Sequence, residues 1–420
     1  MIKMKTILHL ILVVFIVITL TALNVAGAGK VLKIGILAPY TGPAAKAGSE
    51  FKGSAKMALE KIGYKIGDYK IEVVWIDSQS DPAKAASAYS EAAERGGIQA
   101  GVLNWHSSVA VAVMDLAAKY KIPHFFGIGA TELVNEKWDS DPKKYSYWGG
   151  KWWPIPGKLV MGYVDSLNDA IKKGLWKPEK KLMAIYGEDT DWGRSFGGAL
   201  KREFMKSGWK ISSEDYFPLT QTDFYPLMNK YKKAGVAAIA GVSSGTASIS
   251  AFIKQSAEVG LNAVIIADGL GWAGEWYKLT GSASNGVLDM IPQLTTPQSR
   301  TWAKSFKTKY GFTPSPSAGG LTYDAMNFFI KLARRTLEKY GKLNKETLHK
   351  IQTEELATGK LTFTAADGAL IMKSYRYTKE TIPDPVVGQD AYYFPVLQYK
   401  NGKGNIIYPD DWKQAELTFK

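Results

Sequence analysis

Hydrophobic and polar positions along the chain alternate between two periods. Residues 31–37 form an apolar run of strand length. Residues 50–62 then place Phe51, Ala55, Ala58, Leu59 and Ile62 on one side of a helix, and 69–77 is a second strand. Asp81-Pro82 reads as a helix cap with proline at the first helical position, and Gly96-Gly97 as that helix's end. A third strand spans 98–104. Ser107 and Ser108 offer caps for a helix over 109–120, Ile122-Pro123 stops it, and 124–128 is a fourth strand. Strands joined by helices make right-handed parallel crossovers, and a series of them predicts a parallel sheet with helices on both faces.

The rhythm breaks at 145–157, YSYWGGKWWPIPG, which has neither period and reads as a crossover out of a first lobe. A second alternation follows. It has strands at 181–186, 209–217, 237–242, 263–267 and 285–291, and helices at 159–172, 194–206, 222–232, 247–259 and 272–279. Beyond Pro292 the pattern turns helical over 298–310, 321–340 and 345–351, and short strands are predicted at 361–363, 392–399 and 406–408. The two halves share an architecture without a sequence repeat. The expected fold is α/β, with two doubly wound parallel-sheet lobes. Open sheets of this kind bind small molecules at the carboxyl ends of their strands. In the first half those ends carry Asn104 to Ser108 and Gly129 to Thr131. The 104–108 loop also meets a helix N-terminus, whose free N–H groups suit a carboxylate.

Length and composition agree with two lobes: 420 residues, 46% hydrophobic and 22% charged, exceed one ordinary domain. Residues 1–28 read as an export signal. Lys3 and Lys5 precede an apolar stretch from Ile7 to Leu20, and Ala26-Gly27-Ala28 offers a cleavage site. An uncleaved anchor is the alternative, since the apolar stretch extended through Ala26 approaches the ~20 residues that span a bilayer. The chain has no cysteine, which excludes disulfides and thiolate-bound metal, and its four histidines have no metal-ligand spacing. Neither a metal nor a cofactor is expected. The net charge of +14 comes with scattered lysine pairs and no long basic run, so a solvated surface is favoured, with a basic outer face near anionic lipid headgroups as the alternative and no nucleic-acid partner expected.

Three motifs carry candidate chemistry. Gly269-Leu270-Gly271-Trp272-Ala273-Gly274 fits G-x-G-x-x-G, with Asp289 near the position of a ribose-binding acid. It falls late in the chain, however, and Trp272 stands where backbone would approach a pyrophosphate. Gly241-Val242-Ser243-Ser244-Gly245 fits a hydrolase elbow, but the only later histidine is His349, in a predicted surface helix. The plainer reading is a polar loop facing a cleft. Gly187 to Gly193, GEDTDWG, lacks the closing ligands of a calcium loop. Its carboxylates read as helix caps at Asp189 or Asp191, and Trp192 reads as a ligand wall. Asp268 ends the apolar strand VIIAD, where it either caps the turn or meets a ligand ammonium. An enzyme is not expected.

With these loops placed, the chain resembles the extracytoplasmic solute-binding proteins of ABC importers, in the branched-chain amino acid and amide group. The carriers are KIGILAPYTGPAAKAGSEFKGSAKMALE, WIDSQSDPAKA, IPHFFGIGATELV, IYGEDTDWGRSFGGAL, DFYPLMNKYKKAGVAAIAGV and FIKQSAEVGLNAVIIADG, in that order. The resemblance implies a type I periplasmic binding fold, with lobe 1 over 29–148, lobe 2 over 149–289, a return to lobe 1 over 290–360 and terminal strands of lobe 2 over 361–420. It implies three crossovers, near 147–150, 289–292 and 360–362.

It also implies residue roles. Trp105, His106 and Ser107, with Gly129, Ala130 and Thr131, would hold an amino-acid carboxylate and part of its ammonium. Asp268 would neutralise the ammonium, and Trp192 and Ser243 would line the walls. The family usually has a small polar residue where Trp105 stands and Glu where Asp268 stands. Tyr147, Trp148, Trp152 and Trp153 add aromatic bulk near the first crossover. The ligand implied is therefore an amino acid, an amide or a small aromatic acid, captured by hinge closure and passed to an ABC permease. The setting implied is the periplasm or the outer face of the cytoplasmic membrane. A membrane-anchored sensor of the same fold is the alternative function.

Overall fold

The computed structural model describes residues 29–273 and 276–419. The expected export signal or anchor at 1–28 lies outside the described residues, as does Gly274 of the G-x-G-x-x-G match.

The first unit runs β1 (Lys30–Ala38), α1 (Ala45–Lys61), β2 (Lys65–Ile66), β3 (Tyr69–Asp77), α2 (Pro82–Glu94), β4 (Ala100–Val102), α3 (Ser107–Tyr120), β5 (His124–Gly127), α4 (Glu132–Ser140), α5 (Pro142–Tyr145) and β6 (Trp148–Lys151). Its sheet has the order β2-β3-β1-β4-β5-β6. All the pairings are parallel except the short β2–β3 hairpin. β1 and β3 pair in unbroken register from Lys30↔Tyr69 to Ala38↔Asp77. The Asp81-Pro82 signal is realised: the Asp81 side chain caps α2 at Lys84 N and Pro82 opens the helix.

The second unit runs α6 (Met161–Lys172), β7 (Leu182–Glu188), α7 (Asp191–Lys206), β8 (Lys210–Phe217), α8 (Tyr225–Ala234), β9 (Ala238–Val242), α9 (Thr246–Glu258), β10 (Val264–Asp268), α10 (Trp276–Thr280) and β11 (Leu288–Met290). Its sheet has the order β15-β14-β11-β10-β9-β7-β8, where β14 is Val396–Lys400 and β15 is Lys403–Tyr408. β9 is wholly buried and reads as a continuous apolar run, as a parallel strand covered on both faces must. β8, at the sheet edge, alternates exposed and half-buried positions.

Between the second unit and the terminal strands lie α11 (Pro297–Tyr310), α12 (Thr322–Tyr340) and α13 (Lys345–Ile351), then the β12 (Phe363–Thr364) and β13 (Ser374–Tyr375) hairpin. α12 packs on α1, returning the chain to the first unit. The hairpin stays there. Tyr375 donates to Asp324 of α12 at 2.7 Å, and Phe363 stacks on Phe328. The crossover expected near 360–362 therefore precedes a hairpin that still packs on the first unit, and the chain enters the second sheet at Val396.

Two local expectations change. The stretch 145–157, read as lacking any period, contains the edge strand β6, because Trp148-Gly149-Gly150-Lys151 pairs with β5 despite its glycines. The α7 cap is neither Asp189 nor Asp191 but Thr190, whose hydroxyl accepts from Gly193 N at 3.2 Å. Asp189 instead pairs with Arg194 at 2.7 Å.

Candidate functional site

In each sheet the strand order reverses once, between β1 and β4 in the first and between β7 and β9 in the second. Such a reversal opens a crevice at the strand carboxyl ends. The loops there face one another across a narrow, nearly closed cleft of about 30 Å³.

The first unit contributes Trp105, His106, Ser107 and Ser108 after β4, with Ile128 and Ala130 after β5. The two loops are tied by Asn104, whose Nδ2 donates to the carbonyls of His106 at 2.8 Å and Ile128 at 2.6 Å. Thr131 N donates to Ser107 Oγ at 3.2 Å. The backbone reaches these loops through left-handed residues, Leu103 at φ 68° and Phe126 at φ 57°. Strain of this kind costs about 1–3 kcal/mol per residue and persists where surroundings over-determine it.

His106, not Ser107 or Ser108, is the N-cap of α3, and no side chain caps that turn. The N–H groups of the first turn are left for another acceptor. Burial pulls His106 down to about 4, so it is neutral, and both of its ring nitrogens are buried without a partner.

The second unit contributes Glu188 at the end of β7 and Thr190 after it, Trp192 in the first turn of α7, Ser244 after β9 and Trp272 beyond β10. Trp153, from the first crossover, completes the lining. Trp272 is central. Its ring lies 5.6 Å from Trp105 at 84°, 5.8 Å from Trp153 at 88° and 6.3 Å from Trp192. It thereby joins a wall of each lobe. The indole N–H groups of Trp153, Trp192 and Trp272 are buried without acceptors. The indoles of Trp138, Trp148, Trp209 and Trp302, outside the cleft, are buried in the same way, so what distinguishes the three is their place in the lining. Away from the cleft the lobes also meet where Glu132 N donates to Ser195 Oγ at 3.2 Å and Arg202 pairs with Glu132 at 2.7 Å.

The expected site residues divide. Trp105, His106, Ser107, Ala130 and Trp192 line the cleft. Gly129, Thr131, Ser243 and Asp268 stand behind it. Gly129 lets α3 and α4 approach, since a Cβ there would meet Ala110 Cβ at 2.9 Å. Thr131 caps α4 and braces Ser107. Ser243 is fully buried.

Asp268 accepts from Tyr163 at 3.0 Å, and burial and the facing charge of Asp289 push it well above the usual carboxylate range. Asp289, pushed up by burial to about 6, accepts from Gly269 N, Gly271 N and Tyr399. Gly269 and Gly271 of the G-x-G-x-x-G match thus fold back onto Asp289, and Trp272 lines the cleft. His349 stacks on Tyr147 and hydrogen-bonds to Ser146 in the first unit, so it does not serve Ser243 as a base.

The sequence reading gave Glu188 no place in the site, placed Ser244 only within a polar loop facing a cleft, and weighed Trp272 only as an obstacle to a cofactor. The available signal was position alone: all three end or follow a strand of the second sheet.

A larger groove, about 610 Å³, lies at the opposite ends of the second-sheet strands, with Lys177, Lys180 and Lys232 on its walls. It is bounded by one lobe, whereas the cleft is bounded by both.

Two mainly parallel sheets, with antiparallel pairings only at their edges, and facing switch-point loops define a bilobal ligand-binding protein. A family model described as periplasmic binding protein matches residues 31–379. The chain belongs to that family, one of extracytoplasmic solute-binding proteins rather than enzymes. The Leu/Ile/Val-binding protein homolog 6 of Brucella suis biovar 1 is 24% identical over 338 residues, covering 76% of this chain and 81% of that protein. A putative branched-chain amino acid ABC transporter from Silicibacter pomeroyi superposes with TM-score 0.70 at 20% identity, over 92% of this chain and 98% of its own. A solute-binding protein of an ABC transporter from Rhodopseudomonas palustris BisB5, in complex with 3,4-dihydroxybenzoic acid, gives TM-score 0.69 at 20% identity, over 88% and 93%. These structures share the fold. Among the described residues no helix is long and apolar enough to cross a membrane, and no cluster of potential metal ligands occurs.

Proposed function

We propose that the protein is the solute-binding component of an ABC importer and captures a small carboxylate-bearing solute with a planar or apolar body. One observation carries this reading: the uncapped N-terminus of α3 and four tryptophans, drawn from both lobes and the crossover between them, border one cleft. The helix end suits a carboxylate. The indoles suit a flat or apolar body and offer N–H donors to its oxygens. Trp105, His106, Ser107, Ala130 and Trp192 act as binding residues, while Thr131 acts through Ser107. The names of the relatives, a Leu/Ile/Val-binding homolog and a dihydroxybenzoate complex, span the two ligand chemistries such a cleft accommodates.

Capture proceeds by hinge closure. Contacts to both lobes exist together only in the closed form, so the solute shifts the population toward it. Closure also removes water, which strengthens every polar contact inside. A permease at the outer face of the cytoplasmic membrane receives the closed, loaded form. No bond is made or broken.

A thermal-shift screen of the chain without its first 28 residues, against amino acids, amides and aromatic acids, tests the reading. At least one class raises the melting temperature in proportion to its affinity. No shift from any class contradicts the proposal.

A further inference from the structure

Glu188 fastens the loops after β7 and β9 and also borders the cleft. It ends β7, is 1% exposed and lines the cleft. Its Oε2 accepts from Ser244 N at 2.5 Å and Ser244 Oγ at 2.7 Å, and its Oε1 from Thr190 Oγ1 at 2.8 Å. A carboxylate offers about four acceptor positions. Three are taken by neutral donors, and the fourth, on Oε1, is open. Among the described residues lining the cleft no lysine or arginine appears, and no ion pair reaches Glu188. It is the one formal charge there, since His106 is neutral. A buried carboxylate without a counter-charge is costly, and burial accordingly raises its pKa against the pull of Ser244 and Thr190. Trp192 and Trp272 line the same cleft, and indole faces attract a cation.

Resting on the solute-binding reading above, we infer that Glu188, rather than Asp268, is the ionic partner of the solute, which carries an ammonium group as well as a carboxylate. The carboxylate lies at the N-terminus of α3 in the first lobe. The ammonium lies against Glu188 Oε1 and the indole faces in the second. Asp268 does not compete for it: Asp268 is outside the lining, engaged by Tyr163 and paired with Asp289 beneath the Trp272 turn. The zwitterion thus bridges the lobes along its own dipole, and a solute with only the carboxylate leaves Glu188 buried and uncompensated.

Isothermal titration with matched pairs tests this: phenylalanine against 3-phenylpropanoate, and leucine against 4-methylpentanoate, each pair differing only in the ammonium. The wild type binds the amino member of at least one pair tenfold or more tightly than its counterpart. Glu188→Gln brings the two within threefold, Glu188→Asp retains the preference at lower affinity, and Asp268→Asn retains it too. Unliganded melting curves identify any variant that fails to fold, and the wild-type preference with Glu188→Asp then decides the matter.

Equal or tighter binding of the desamino members by the wild type overturns the inference. So does a preference that survives Glu188→Gln in a folded variant, or one abolished by Asp268→Asn. If the wild type binds benzoate or 3,4-dihydroxybenzoate but neither amino member, the solute-binding reading stands and this inference falls. If nothing binds, both fall.

Discussion

Each lobe buries one glutamate against a serine, and the two are used differently. In the first lobe Glu50, on α1, accepts from Ser315 N at 2.8 Å and Ser315 Oγ at 2.6 Å. In the second, Glu188 accepts the same two donors from Ser244. Glu50 is closed in by Trp302 and the turn at Gly319 and is not part of the cleft, so it fastens the 316–321 turn to α1. Glu188 stands at a switch point and opens on the space between the lobes. The local hydrogen bonds are nearly the same. What separates an anchor from a binding group is whether the strand end beneath it borders the other lobe. The cleft is correspondingly asymmetric: neutral donors and a helix N-terminus on the first side, a carboxylate and aromatic faces on the second.

The largest effect expected on that asymmetry is at Trp272, the side chain touching tryptophans of both walls. Trp272→Ala should raise the solute Kd by about 30- to 1000-fold, in the range of buried aromatic hot spots, as read by titration calorimetry. A loss below threefold would detach the second wall from binding.

Ser107→Pro sharpens the first wall. His106 has ψ 139°, which a following proline tolerates, and proline suits the first helical position. The variant should keep α3 and its circular dichroism yet lose one N–H donor and the hydroxyl that accepts from Thr131 N, weakening carboxylate binding by at least about tenfold, of the order of one charge-assisted hydrogen bond.

Glu50→Gln separates the two glutamates. Burial raises Glu50 from 4.5 to about 7. A raised carboxyl gives its stabilisation in full below its unfolded value near 4.5 and loses it as pH rises through 7. The wild type therefore forgoes on the order of 3 kcal/mol at pH 8 relative to pH 4 through this group. Denaturation at pH 5 and pH 8 should show Glu50→Gln gaining relative to wild type at the higher pH, with solute affinity unchanged.

The smallest effect is Arg202→Ala. The Glu132–Arg202 pair joins the lobes at their rim, but both partners are partly exposed. Removing it should cost no more than about 1 kcal/mol and show as faster solute release.

Much of the fold could be read from periodicity. β3 and α13 fall where the pattern put them, and the remaining expected long elements lie within about five residues of expectation, while α4 (Glu132–Ser140) had not been expected at all. β6 escaped because Trp-Gly-Gly-Lys has neither branched side chains nor alternation, and is a strand only through its pairing with β5. In the site, Trp105, His106, Ser107 and Trp192 were readable because strand-end loops in such sheets face the ligand. The same rule failed to sort carboxylates. Asp268 ends β10 as Glu188 ends β7, but one side chain turns beneath the Trp272 turn toward Tyr163 and the other borders the cleft. That choice depends on Ser244 and Asp289, partners 56 and 21 residues away in the chain.

The central claim, that the strand-end loops of both lobes grip one solute between them, is most directly tested by a crystal structure with the tightest solute from the screen. The account predicts its carboxylate on the N–H groups that open α3, its body against Trp105, Trp192 and Trp272, and contacts to both lobes. A solute seated instead in the groove beside Lys177 and Lys232, touching the second lobe alone, would contradict it.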